Sequence, residues 1–154
     1  MLRQVKYAVV VAGVVLLAAL IYIDLPGFPA DQNDTAVASS TVQLKGRTIR
    51  VTLADTPEER EKGLSGWNGL SEDEGMLFVF EDDGKPAFWM KDMKFAIDIL
   101  WISREGMVVD MRQDVSPETY PTAFAPRSEA RYVLELPAGY TETHQIRLED
   151  IVRL

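Results

Sequence analysis

Three apolar runs crowd the middle of the chain: Gly75-Met-Leu-Phe-Val-Phe80, Phe88-Trp-Met-Lys91 and Ile97-Asp-Ile-Leu-Trp101. They are short and rich in aromatic and branched residues, the pattern of strands buried in a core. Single charges, Lys91 and Asp98, interrupt them. A carboxylate inside such a strand must find a partner or stay protonated. The block is therefore both the centre of a fold and the first place to look for a specific polar site.

Composition narrows the function classes. A chain of 154 residues has room for one domain plus an appendage. A formal net charge of -8, with basic residues scattered singly, argues against nucleic acid or an anionic membrane surface as the main partner. There is no cysteine, which excludes disulfides, thiol catalysis, thiolate metal sites and an acylated lipoprotein cysteine. The compartment must then be read from the N-terminal segment.

Residues 7–23, YAVVVAGVVLLAALIYI, form an unbroken apolar run with Arg3 and Lys6 before it and Asp24 after it. About 17 helical residues span about 25 Å, slightly short of a hydrocarbon core of roughly 30 Å. Tyr7 and Tyr22 fall at interfacial positions, and Lys6 can snorkel to lengthen the span. The flanking charges predict residues 1–6 in the cytoplasm and the rest of the chain outside. The alternative is a signal peptide cleaved near Ala36-Val-Ala38, which would leave a secreted or periplasmic protein. That small-x-small pattern lies far beyond the apolar run, so an uncleaved anchor fits better. Residues 24–40 are rich in Pro, Asp, Asn, Ser and Ala without periodicity and read as a flexible linker. The domain proper is expected over residues 41–154.

Within it, strands are predicted at 41–44, 48–53, 76–80, 87–90, 95–102, 107–112, 131–136 and 151–154. Thr56-Pro57-Glu58-Glu59 has the residues of a capping box with Pro at N1, so a short helix should run to Gly63. A helical turn or two is expected within 139–145, and 116–126 reads as a Pro-punctuated loop. The predicted fold is mostly β, on the border of α+β: an antiparallel β-sandwich or barrel with one or two short helices, preceded by an N-terminal transmembrane helix. No βαβ alternation, GxGxxG or P-loop sequence points to a nucleotide-binding α/β fold.

Glu59-Arg60 with Gly63-Leu64, Gly75-Met-Leu-Phe78, Trp89-Met-Lys91, Asp98-Ile-Leu100 and Tyr132-Val-Leu-Glu-Leu-Pro-Ala-Gly139 occur in an order that resembles the domain of unknown function 192 family. The resemblance covers essentially the whole domain. It implies a compact, mostly β domain, often exported behind a signal or anchor segment. That family has no established activity, so no catalytic residue carries over. This chain also departs from the family pattern. Ser65 stands where Met is usual, Trp67 where Arg is usual, Asp92-Met93 where Asn-Thr is usual, Ala96 where Pro is usual and Glu149-Asp150 where Gly-Asp is usual.

The candidate site residues each have a plainer reading. Asp98 and Glu135 are the best carboxylate pair and could act as acid and base at a glycosidic bond if they shared a cleft; otherwise each neutralises a neighbour, with Lys91 and Arg131 the obvious partners of Asp98. Trp89, Met90 and Met93, with Met76 and His144 nearby, would suit Cu(I); methionines more often fill a core. His144 is the only histidine and has no companion motif for a triad or metal site. Trp101 belongs to the core. Trp67, in the polar loop Ser65-Gly-Trp-Asn-Gly69, is the tryptophan placed to face a ligand, unless it plugs a barrel end.

These observations fit a noncatalytic binding or assembly module of the cell envelope, anchored in the inner membrane through residues 7–23. The expected partner is an envelope protein, peptide or glycan, contacted through Trp67, Trp89 and Lys91, with no nucleic acid and no metal or other cofactor. The enzyme-class alternative is an envelope carbohydrate hydrolase using Asp98 and Glu135. A further alternative is a copper-handling protein using Trp89, Met90 and Met93.

Overall fold

The computed structural model describes residues 39–154. The expected anchor and most of the linker lie outside the described residues. Seven strands form one mixed sheet: β1 (Ser39–Leu44), β2 (Arg47–Ala54), β3 (Glu74–Gly84), β4 (Ile97–Ile102), β5 (Val108–Val115), β6 (Ala130–Pro137) and β7 (Val152–Arg153). Two short helices, α1 (Pro57–Lys62) and α2 (Tyr140–Thr143), accompany them. The strand order is β5-β4-β6-β3-β2-β1-β7.

The sheet is not purely antiparallel as expected: β2 and β3 pair in parallel, from Arg50 opposite Glu74 to Ala54 opposite Phe78. Parallel neighbours need a crossover instead of a hairpin, and α1 lies in that connection. Its start follows the sequence: Thr56 Oγ1 accepts from the Glu59 amide at 3.2 Å while Glu59 Oε2 accepts from the Thr56 amide at 3.1 Å. Gly63 ends it, its amide donating to the Glu59 carbonyl at 2.8 Å.

The sheet curls until its two ends meet. Met107, just before β5, bridges Ile151, and Val152 donates to the Gly106 carbonyl at 2.8 Å. Gly106 has φ +85°, and a Cβ there would lie 2.5 Å from the Val152 carbonyl oxygen, so only glycine allows this closure. The curl encloses one apolar core built from Val42, Leu44, Ile49, Val51, Leu77, Leu100, Leu134 and Leu136, and Tyr140 of α2 packs into it.

A second core lies on the other face of the sheet, where Phe78, Ile99, Trp101 and Val133 are covered by Leu64, Met90 and the connecting loops. Burial on both faces explains why β4 reads as a nearly continuous apolar run: all six of its residues are buried. The predicted strand over 87–90 is instead an extended loop held by one bridge, Phe88 to Phe124. The strand expected over 76–80 runs on through Gly84 as β3.

Candidate functional site

Registers decide which side chains can meet. On adjacent strands β4 and β6, Ile99 lies opposite Glu135 and Asp98 lies opposite Leu136. Cross-strand partners share a face and successive residues alternate. Asp98 and Glu135 therefore project to opposite faces of the sheet, and the acid–base pair considered from sequence does not share a cleft.

Asp98 is fully buried, and its partners are neither Lys91 nor Arg131. Its Oδ1 accepts from the amides of Asp114 at 2.8 Å and Gly139 at 3.2 Å; its Oδ2 accepts from the Thr141 amide at 2.8 Å and the Thr141 hydroxyl at 2.6 Å. The carboxylate thus ties the end of β5 and the start of α2 to β4. Lys91 is exposed. Arg131 pairs with Asp83 at 2.7 Å and donates to the Glu81 carbonyl. The sequence suggested ion pairs because side-chain cations are visible in it, whereas backbone donors are not.

Glu135 has a different environment. It is 5% exposed, and its Oε2 has no hydrogen-bond partner. Burial alone pushes its carboxyl up to about 8, so at neutral pH it is mostly the uncharged acid. It lines a cleft of about 350 Å³ on the outer face of the sheet. Phe78 and Phe80 of β3, Phe88, Trp89 and Met93 of the loop after β3, and residues 60–65 at the end of α1 complete the lining.

Local anchors hold these walls. The amides and carbonyls of Phe88 and Phe124 exchange hydrogen bonds of 2.8 and 2.7 Å, and Trp101 Nε1 donates to the Pro86 carbonyl at 2.9 Å. Farther along, Ser65 Oγ donates to the Lys91 carbonyl at 2.9 Å and the Gly66 amide to the Asp92 carbonyl at 3.0 Å. Between these anchors the chain alternates: Phe88 turns inward, edge-on to Phe78 at 4.8 Å, Trp89 turns out and Met90 returns to the core at 2% exposure. Trp89 is 56% exposed and stands 6.4 Å from the ring of Tyr120, which is also exposed.

The loop bearing Tyr120 is fixed by a residue that the sequence reading passed over. Asp110, fully buried on β5, accepts from the Arg127 amide at 2.8 Å and from its guanidinium at 3.1 and 3.0 Å. Burial works to raise the Asp110 carboxyl, but the hydrogen bonds and charge of Arg127 outweigh it and hold the group below the usual carboxylate range. Its only sequence signal was an acid directly after the apolar Met107-Val-Val109, weaker than that of Asp98 because Arg112, Gln113 and Asp114 follow in the same strand.

The remaining candidates separate. Met76 and Met90 are buried in the second core and Met93 packs against it, while His144 lies against Tyr140 at 4.3 Å in a different pocket. The structure does not gather them into the thioether and imidazole set that copper would use. Trp67 is half-buried against the second core, so the tryptophan open to solvent is Trp89. Among the described residues no cluster of three or more His, Cys, Asp or Glu is placed to hold a metal.

The segments that resembled a known family converge here: Arg60, Gly63, Leu64, Phe78, Trp89 and Glu135 all line the cleft. The model of the domain of unknown function 192 (DUF192) family, described as uncharacterized ACR, matches residues 40–154. A Sinorhizobium meliloti 1021 protein proposed to be a transcription regulator is similar in structure, with a TM-score of 0.71 and 30% identity over 76% of this chain and 94% of that one. A protein of unknown function from Novosphingobium aromaticivorans DSM 12444 gives a TM-score of 0.74 at 24% identity, over 82% of this chain and 93% of its own, a likeness of fold alone. No curated protein matches the chain. With three quarters of its length matched in one continuous stretch, the chain belongs to the DUF192 family.

Proposed function

We propose that this protein is a noncatalytic binding module of the cell envelope, and that the cleft between Trp89 and Glu135 is where its ligand sits. One observation carries the reading: an open, aromatic-walled cleft ends on a buried carboxyl that the fold leaves without a partner. Binding sites typically combine apolar walls with a few placed polar groups. An exposed tryptophan at the rim supplies contact area at small entropic cost. Two positions where the chain departs from the family pattern, Ser65 and Met93, also line the cleft, which supports a ligand preference of its own.

The Sinorhizobium meliloti relative is proposed to be a transcription regulator; for this chain a net charge of -8 gives little support to a role on nucleic acid. The apolar run at residues 7–23, with cations before it and an acid after it, supports an inner-membrane anchor with the domain outside. The test of location is the N-terminus of the mature chain and its fractionation. An intact N-terminus in the membrane fraction is expected, and a mature chain starting near Ser39 would overturn the anchor. The test of binding is a ligand-observed NMR screen of the full chain against envelope glycan fragments and peptides, repeated with Trp89→Ala. Binding that is lost in the variant is expected; binding that is indifferent to Trp89 would place the site elsewhere.

A further inference from the structure

Three acids are buried in this domain, and the fold treats them differently. Asp98 receives four donors, and Asp110 receives Arg127 and backbone amides. Glu135 Oε2 receives none, although buried polar groups are almost always partnered. It shares its cleft with the aromatic side chains of Phe78, Phe88 and Trp89, whose ring faces carry negative electrostatic potential. We infer that the cleft takes an alkylammonium or quaternary-ammonium group, its charge against the Glu135 carboxyl and its carbon substituents against Phe78, Phe88 and Trp89. This inference rests on the reading of the cleft as a binding site and names the chemistry of the ligand.

The charges around the cleft support it. The lining contributed by β3 and by the loop after it is uncharged, and the charged lining groups besides Glu135 are Arg60, Glu61 and Lys62, all from α1. Arg60 is already committed: it donates to the carbonyls of Asp55 and, at 2.9 Å, Val79, and its guanidinium lies 5.4 Å from the centre of the Phe80 ring. Lys62 shares the cleft, but among the described residues no cation pairs with Glu135, whose carboxyl is raised by burial alone. A ligand ammonium would be the missing counter-charge, and the aromatic walls add cation–π attraction. The balance is simple: the cation enters, Glu135 gives up its proton to solvent, and a carboxylate–ammonium pair replaces a neutral acid.

That exchange makes binding pH-dependent in a direction fixed by the acid. Below the carboxyl's value of about 8, each bound cation displaces close to one proton, so apparent affinity rises about tenfold per pH unit. Above it, affinity levels off.

The test is an amide-resonance NMR titration of the full chain in a maltoside detergent. Choline is compared with the alcohol in which carbon replaces its nitrogen, a probe of nearly the same shape without charge. Choline is expected to shift resonances of Phe88, Trp89 and Glu135 and to bind at least about tenfold more tightly than the alcohol near pH 8. Its affinity should rise about tenfold between pH 6 and pH 7. Glu135→Gln should abolish the pH dependence, and Trp89→Ala, at an exposed position, should weaken binding without unfolding the domain. Equal affinity for the two probes, or choline binding that ignores pH, would overturn the ammonium assignment while leaving the cleft a binding site. Silence of the cleft resonances with both probes would also overturn it; the glycan and peptide screen with Trp89→Ala then decides the broader reading separately.

Discussion

Asp98→Asn is the sharpest test of how this fold is held together. The substitution keeps the shape of the side chain and exchanges one acceptor oxygen for an NH2 group. Each carboxylate oxygen accepts two hydrogen bonds: an NH2 in the Oδ1 position faces two backbone amides, whereas in the Oδ2 position it faces the Thr141 amide while the Thr141 hydroxyl turns to accept. Hydrogen bonds to a charged group are worth about 1.5–3 kcal/mol each. Losing one or two inside a fully buried site should therefore cost about 1.5–6 kcal/mol, a large share of the roughly 5–15 kcal/mol that stabilises a typical domain. At roughly 4 °C per kcal/mol, thermal unfolding by circular dichroism should fall by about 6–24 °C. Thr141→Val removes one of the four donors and should cost less. Its effect should not add to that of Asp98→Asn, because both act on the same buried carboxyl. Lys91→Ala, at an exposed position, should change nothing. If Asp98→Asn melted within about 2 °C of the parent at neutral pH, the four-donor account of this site would be wrong.

Other consequences can be read with the same assay. Glu135→Gln should stabilise the protein relative to the parent increasingly as pH rises. The folded carboxyl titrates near 8, above its ordinary value of 4.5, so parental stability is greatest below the unfolded value and declines through the window between the two. The accumulated difference approaches about 3 kcal/mol at pH 7, and a gap that stays constant between about pH 5 and pH 8 would contradict it. Arg127→Ala should destabilise the loop carrying Tyr120 at neutral pH. Asp110 is depressed, so its contribution is present above the unfolded value and lost as pH falls through the folded one; the variant and parent should converge in acid. Gly75→Ala would place a Cβ 2.7 Å from the Glu135 carbonyl oxygen, pushing β3 away from β6, and should unfold at a markedly lower denaturant concentration.

Much of the fold was legible because local signals and tertiary structure agree. The capping residues at Thr56 and Glu59, the continuous apolar run of β4 and the helical turn after Gly139 all appear where their chemistry puts them. The parallel pairing of β2 with β3 was not legible, since strand direction depends on how α1 crosses over and leaves no local mark. The site was half legible. Glu135, Trp89 and the Trp-Met-Lys segment were picked out, but alternation within one strand cannot say which face of the next strand it matches. That register put Asp98 and Glu135 on opposite faces. A polar, glycine-rich loop suggested an exposed Trp67, while here the ring is partly buried against the second core.

The Glu135 carboxyl is buried, lacks a partner at Oε2 and lines the cleft proposed to hold the ligand. A carboxyl-carbon NMR titration of Glu135 in the ligand-free full chain tests this most directly. The prediction is a single transition near 8, absent in Glu135→Gln, that moves sharply downward once an ammonium ligand is bound. A transition near the ordinary 4.5 would mean that water or a protein donor already serves the group, and the cleft would lose the feature that marks it as a site.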